Sequence, residues 1–254
     1  MNKPMIYYPL SVLMLAGTRE VMIISSPEFL PHYKRLFGDG SQLGLEIVYG
    51  EQARPEGLPR AFTIARDWIA GQSVALVPGD NIFFGNGPVD LLRSAAGRAH
   101  GATIFSYRVE DPERYGVVEF DERGRARTLA EKPAKPRSHH AVTGLYLFDH
   151  HVSDFAAGLT PSARAELEIT DLIRLYLDAG ALNVEQMGRG YAWLDTGTHD
   201  SLLEAGEFVR TVQRRQGIQI ACLEEIAYLS GFISRDAPKL KAKPWPRPLM
   251  AARS

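Results

Sequence analysis

Up to Asp111, short apolar runs rich in β-branched residues alternate with stretches of helical periodicity. Val21-Met22-Ile23-Ile24-Ser25 predicts a buried strand and Pro27 to Leu36 a helix. Leu45-Glu46-Ile47-Val48-Tyr49 predicts the next strand, with a helix from Leu58 to Ile69 behind it. Val74-Ala75-Leu76-Val77 is a third strand, ending in the turn residues Pro78-Gly79-Asp80-Asn81. A helix around Pro88 to Ala99 then leads to the strand Ala102 to Val109. This alternation argues for an α/β fold with a mostly parallel, doubly wound sheet and helices on both faces.

The rhythm then changes. Tyr115 to Phe120, the turn Asp121-Glu122-Arg123-Gly124 and Ala126 to Glu131 predict an antiparallel hairpin. A strand over Val142 to Phe148 follows, then helices over His151–Leu159 and Leu167–Ala179, a strand over Asn183 to Met187 and a long helix over Asp200 to Gln213. The chain divides into one domain, 1–233, and a tail, 234–254, whose lysines and prolines predict loose order. The N-terminal apolar run Met5 to Gly17 is broken by Tyr7, Tyr8, Pro9 and Ser11, which favours a helix of the folded domain over a secretion signal. Lys and Arg number 29 against 30 for Asp and Glu, so neither nucleic acid nor an anionic membrane is the expected partner. The single cysteine, Cys222, allows no internal disulfide and suits a cytoplasmic protein, where it is expected to act as a small apolar residue.

Two aspartates carry the candidate chemistry. Asp195 follows the apolar Tyr191-Ala192-Trp193-Leu194 and precedes the tight bend Thr196-Gly197-Thr198 at a helix start. It reads equally well as a cap or as a ligand holding a cation against phosphates. Asp80 stands at a strand end, the side of such a sheet where ligands bind, with Gly79 before it and the Asn81 amide after it. Spacing alone cannot show that the two meet. Glu131-Lys132-Pro133 offers a carboxylate for sugar hydroxyls and a cation for phosphate, and Arg164 with Glu166 repeats the combination before a helix; both also read as surface or capping charges. Gln52 could read a pyrimidine edge, and Gly57 could let backbone amides face a ligand. The pairs His139-His140 and His150-His151 are read as solvated, because neighbours on a strand point to opposite faces and no acidic partner stands at metal spacing.

In order, these segments resemble the glucose-1-phosphate thymidylyltransferases, sugar nucleotidyltransferases that make dTDP-glucose. The likeness runs from Lys3-Pro4-Met5-Ile6 to about Tyr228. It includes Gly79-Asp80-Asn81, Asp111 to Phe120, Glu131-Lys132-Pro133, Val142 to Tyr146, Glu166 to Asp171 and Gly188 through Gly206. The resemblance implies a Rossmann-like nucleotide-diphospho-sugar transferase fold with a mixed sheet, and a homotetramer working in dTDP-rhamnose and polysaccharide biosynthesis. It implies in-line transfer of a thymidylyl group from dTTP to glucose 1-phosphate. Asp80 and Asp195 would hold Mg²⁺, and Gln52 and Gly57 would face the thymine. Gly116, Glu131, Val142 and Tyr146 would line the sugar pocket beside Asn81, and Lys132 and Arg164 would hold the sugar phosphate.

The family pattern opens with a strand and a glycine-rich loop that grips the triphosphate. This sequence begins where the helix after that loop is expected, and Ala16-Gly17-Thr18-Arg19 lies after that helix. On this reading the first strand is missing, its neighbours show unpaired edges, and turnover is impaired. Pro59-Arg60 also departs from the family's nucleotide loop, and the segment after Gly231 diverges. Two alternatives stand beside the enzyme: a non-catalytic sugar-nucleotide binder or inactive partner in a mixed oligomer, and a related enzyme using UTP.

Overall fold

A computed structural model of the chain describes residues 3–85 and 88–234. The expected tail lies outside the described residues from position 235 onward.

Helix α1 (Tyr7–Leu15) is apolar on every side, the pattern of a helix buried all round. Leu10 and Met14 pack against β1 (Glu20–Ser25) and β2 (Glu46–Glu51), Tyr8 against Ile82 and Val209, and Val12 against Phe105 and Leu92, the latter on α5 (Pro88–Ala96). The N-terminal run is thus part of the domain core. Strands β1 and β2 pair in parallel, with α2 (Leu30–Phe37) between them. The predicted helix after β2 is two short ones, α3 (Arg60–Ile64) and α4 (Arg66–Ile69), separated at Ala65, whose φ of −89° and ψ of 5° leave the helical region.

The larger sheet is mixed. Its path runs β7 (Ala126–Glu131), β6 (Gly116–Phe120), β8 (His140–Phe148), β5 (Ala102–Arg108) and β9 (Leu182–Met187), with β3 (Val74–Leu76) also paired to β8. Among the described pairings only β1–β2 and β5–β9 are parallel. Antiparallel pairs therefore outnumber parallel ones, unlike the mostly parallel sheet expected from the strand–helix rhythm. The cause is β8, which returns from the hairpin β6–β7 and runs antiparallel to β5, β3 and β6 at once. Helices α6 (Val152–Ala157) and α7 (Ile169–Asp178) close the core of this sheet through Val152, Leu172, Ile173 and Tyr176, against Phe62, Ile104 and Phe148.

Two elements escape the sequence pattern. Strand β4 (Asn81–Gly85) pairs antiparallel with β10 (Tyr191–Asp195), and α9 (Leu223–Leu229) packs Leu223 and Ala227 beneath α1. Among the described residues β1 and β3 each pair on one side only. A cavity of about 430 Å³ lies between them, bordered by Val21, Met22, Ile24, Phe62, Trp68 and Leu76.

Candidate active site

The β4–β10 ladder does what spacing could not. Its register sets Asp195 opposite Asn81, so Asp80 and Asp195 become neighbours across 115 positions of sequence. The Thr196 N–H and hydroxyl both donate to the Asp80 carbonyl, at 3.0 and 2.8 Å, and lock the two turns together. A Cβ on Gly197 would lie 3.2 Å from one Asp195 oxygen and 3.8 Å from one of Asp80, so both carboxylates flank this glycine.

Capping does not occupy Asp195. Helix α8 (His199–Gln216) is capped by Thr198, whose Oγ1 accepts from the Ser201 N–H at 3.2 Å while Ser201 Oγ accepts from the Thr198 N–H at 3.1 Å. Asp195 accepts the Gly197 N–H at 3.0 Å. Burial pushes its carboxyl above the usual range and the charge of Asp80 adds to this, against the pull of the Gly197 N–H, Arg114 and Lys132. Two crowded, partly buried carboxylates form a hard-oxygen donor set suited to a divalent cation.

Asn81 is almost fully buried and ties this pair to the sheet. Its Nδ2 donates to Asp80 Oδ1 at 2.8 Å, and its Oδ1 accepts from Trp193 Nε1 at 2.6 Å. Gly144 on β8 makes room for it, since a Cβ there would stand 2.4 Å from Asn81 Oδ1. Tyr146, two residues along, is buried, and its phenol is pushed far up by burial and then by the charges of Glu131 and Asp80. Tyr146 thus feels the charges of both Asp80 and Glu131, the latter part of a second cluster.

That second cluster is built on the hairpin. Gly116 pairs with Glu131 across β6–β7, and a Cβ on Gly116 would lie 3.4 Å from Glu131 Oε2, 3.5 Å from Thr170 and 3.8 Å from Val142. The Thr170 hydroxyl donates to Glu131 Oε2 in a short hydrogen bond. Arg164 reaches Glu131 at 3.3 Å and Glu168 at 2.6 Å, and Ser162 Oγ donates to Glu168 at 2.7 Å. Lys132 is exposed and adopts φ +40°, with its N–H donating to the Tyr115 carbonyl at 3.0 Å. A lysine in the left-handed region carries a steric cost that a glycine would not.

Gln52 and Gly57 meet each other, Gln52 Nε2 donating to the Gly57 carbonyl at 3.5 Å. The open side of Gly57, at φ +97°, is filled by the Leu167 backbone, whose carbonyl would stand 2.1 Å from a Cβ. The glycine therefore accommodates a chain crossing, where the sequence suggested amides facing a ligand. Through Leu167 this loop abuts Glu168 and the Arg164 cluster.

A family model described as nucleotidyl transferase matches residues 1–212. The chain belongs to this nucleotidyl transferase family. A glucose-1-phosphate thymidylyltransferase of Xanthomonas campestris pv. campestris is 56% identical over 243 residues, covering 96% of this chain and 82% of that protein. The enzyme of that name from Neisseria meningitidis is 55% identical, with 92% and 81% covered, and the one from Mycolicibacterium smegmatis 50%, with 95% and 84% covered. A Bacillus anthracis crystal structure assigned as a glucose-1-phosphate thymidylyltransferase, in complex with a sucrose, superimposes with a TM-score of 0.75 at 34% identity over 82% of both chains. A UDP-glucose pyrophosphorylase with UDP-glucose, at 20% identity, shares the nucleotidyltransferase fold, with a TM-score of 0.72.

Four residues that touch the candidate site residues were not singled out from the sequence. Gly144, Trp193, Glu168 and Thr170 act on the expected residues from β8, β10 and the start of α7, and each owes its place to tertiary contact.

Proposed function

We propose that this chain transfers a thymidylyl group from dTTP to α-D-glucose 1-phosphate, giving dTDP-glucose and pyrophosphate. The observation that carries this is the pairing of Asp80 with Asp195 beside the cluster of Glu131, Lys132 and Arg164. It sets an acidic metal-type site near cations and a polar cluster, in a chain whose relatives bear the name glucose-1-phosphate thymidylyltransferase. A phosphate oxygen of glucose 1-phosphate forms the new bond to the α-phosphorus of dTTP as the bond to the departing pyrophosphate breaks. Asp80 and Asp195 would hold Mg²⁺, which when bound supplies charge neutralisation at the phosphates. Lys132 and Arg164 hold the sugar phosphate, and Glu168 and Glu131 fix the Arg164 guanidinium. Glu131 accepts sugar hydroxyls, with Gly116, Val142 and Tyr146 shaping the pocket and Asn81 steadying Asp80. Gln52 reads the thymine edge from the Gly57 loop. Positioning and charge provide most of the acceleration in phosphoryl transfer.

Residues 1–233 act on this proposal as one domain of a cytoplasmic homotetramer in dTDP-sugar and dTDP-rhamnose synthesis. No helix among the described residues is long and apolar enough to cross a membrane. Leu203 and Leu229, 69% and 73% exposed, leave apolar surface for subunit contact. The experiment is pyrophosphate release from dTTP or UTP with glucose 1-phosphate. Release with dTTP preferred supports the proposal. Calorimetric binding of dTDP-glucose without release would favour the non-catalytic binder.

A further inference from the structure

Strand β8 ends at Phe148, and the chain turns through Asp149-His150-His151 into α6. On sequence grounds these histidines read as solvated, because strand neighbours diverge. The structure places them in a turn, where adjacent side chains converge. Their imidazole rings lie 3.9 Å apart, centroid to centroid. One donor atom from each histidine and one Asp149 carboxylate oxygen all lie within 4.8 Å of one another. Asp149 is 5% exposed beneath two exposed imidazoles.

The carboxylate is held in place. Gly101 N–H donates to Oδ2 at 2.7 Å, while Oδ1 accepts the His151 N–H at 3.1 Å and the Tyr176 hydroxyl at 2.9 Å. Three donors occupy three of its roughly four acceptor positions, leaving Oδ2 with capacity for a ligand bond.

We propose that Asp149, His150 and His151 form a binding site for a borderline divalent ion such as Zn²⁺, separate from the carboxylate pair at Asp80 and Asp195. Two imidazoles and a carboxylate suit Zn²⁺, Ni²⁺ or Cu²⁺, whereas Mg²⁺ favours oxygen donors throughout. Bonds of about 2 Å set zinc donors roughly 3.3 Å apart, and rotation of the two exposed imidazoles closes the remaining gap. Gly101 and Tyr176 fix the carboxylate as outer partners of a metal ligand do. The bound ion ties the turn before α6 to the start of β5 and, through Tyr176, to α7.

The test is equilibrium binding of Zn²⁺ to metal-stripped protein in excess Mg²⁺, read also as a melting-temperature shift. The wild-type chain and Asp195→Asn should each retain one zinc equivalent. His150→Ala should weaken binding at least ten-fold, and H150A/H151A should lose both the equivalent and the melting shift, with circular dichroism and pyrophosphate release unchanged. An absence of saturable Zn²⁺ in the wild-type chain would overturn the proposal. So would an equivalent that survives in His150→Ala and the double variant, or one that disappears in Asp195→Asn.

Discussion

Asp195→Asn separates the stability of the site from its chemistry. The space at Gly197 lies 3.2 Å from an Asp195 oxygen and 3.8 Å from an Asp80 oxygen, which bounds their separation at 7.0 Å. Two unit charges at that outer limit of about 7 Å repel by roughly 2.4 kcal/mol at an effective dielectric of about 20, and more if closer, while partial exposure reduces the net effect to about 1 kcal/mol. Asparagine keeps the shape and the acceptor for the Gly197 N–H. The folded pKa of Asp195 is raised, by burial first and Asp80 after it. A raised pKa gives stability that is complete below the unfolded value and is lost as pH rises through the folded one. At pH 7 without metal the ionised side chain is therefore a net cost. Scanning calorimetry in EDTA at pH 7 should find Asp195→Asn melting about 2–4 °C above wild type, with the difference vanishing below the ordinary value of 3.8. Mg²⁺ should raise the wild-type melting temperature and leave the variant unmoved. A variant that melts lower than wild type in EDTA, or that gains equally from Mg²⁺, refutes the reasoning.

Lys132→Gly releases a side chain from φ +40°, so the melting temperature should hold or rise by the equivalent of about 1 kcal/mol, while pyrophosphate release falls on the order of 100-fold. A Gly144→Ala methyl would collide with Asn81, 2.4 Å from its Oδ1; urea titration should show a loss of about 2–3 kcal/mol, and unchanged stability would contradict the fit. Glu168 is raised by burial but brought below its ordinary value by Arg164 and Ser162, so its stabilisation is present above the unfolded pKa and lost as pH falls through the folded one. Glu168→Gln should flatten the acid limb of the melting curve against pH, and should raise KM for glucose 1-phosphate about ten-fold with a smaller change in kcat by freeing Arg164.

Much of the fold was legible because local pattern and tertiary role agree. The apolar run of β1, the hairpin around Asp121-Glu122-Arg123-Gly124 and the Thr198 start of α8 carry their signals within a few residues. Strand β4 did not, since Ile82-Phe83-Phe84 follows turn residues without alternation and is defined only by pairing with β10 more than a hundred positions away. The antiparallel run of β8 through the sheet is likewise a long-range choice that strand–helix rhythm cannot encode. The site shows the same division. Asp80, Asp195, Glu131 and Lys132 were visible as chemistry at element ends, but whether the aspartates meet depended on the β4–β10 register. Gly144 and Thr170 are ordinary residues until Asn81 and Glu131 are placed against them. At Gly57 the glycine was legible, but the crossing Leu167 backbone that requires it was not.

The central claim is that Asp80 and Asp195 serve nucleotidyl transfer in this chain. It is tested most directly by pyrophosphate release from dTTP and glucose 1-phosphate in Mg²⁺, comparing wild type with Asp80→Asn and Asp195→Asn, alongside calorimetric binding of dTDP-glucose. Release by the wild type that needs both substrates, lost in both variants while dTDP-glucose still binds, is the predicted result. Binding of dTDP-glucose by the wild type with no release, or release undiminished in the variants, would contradict it.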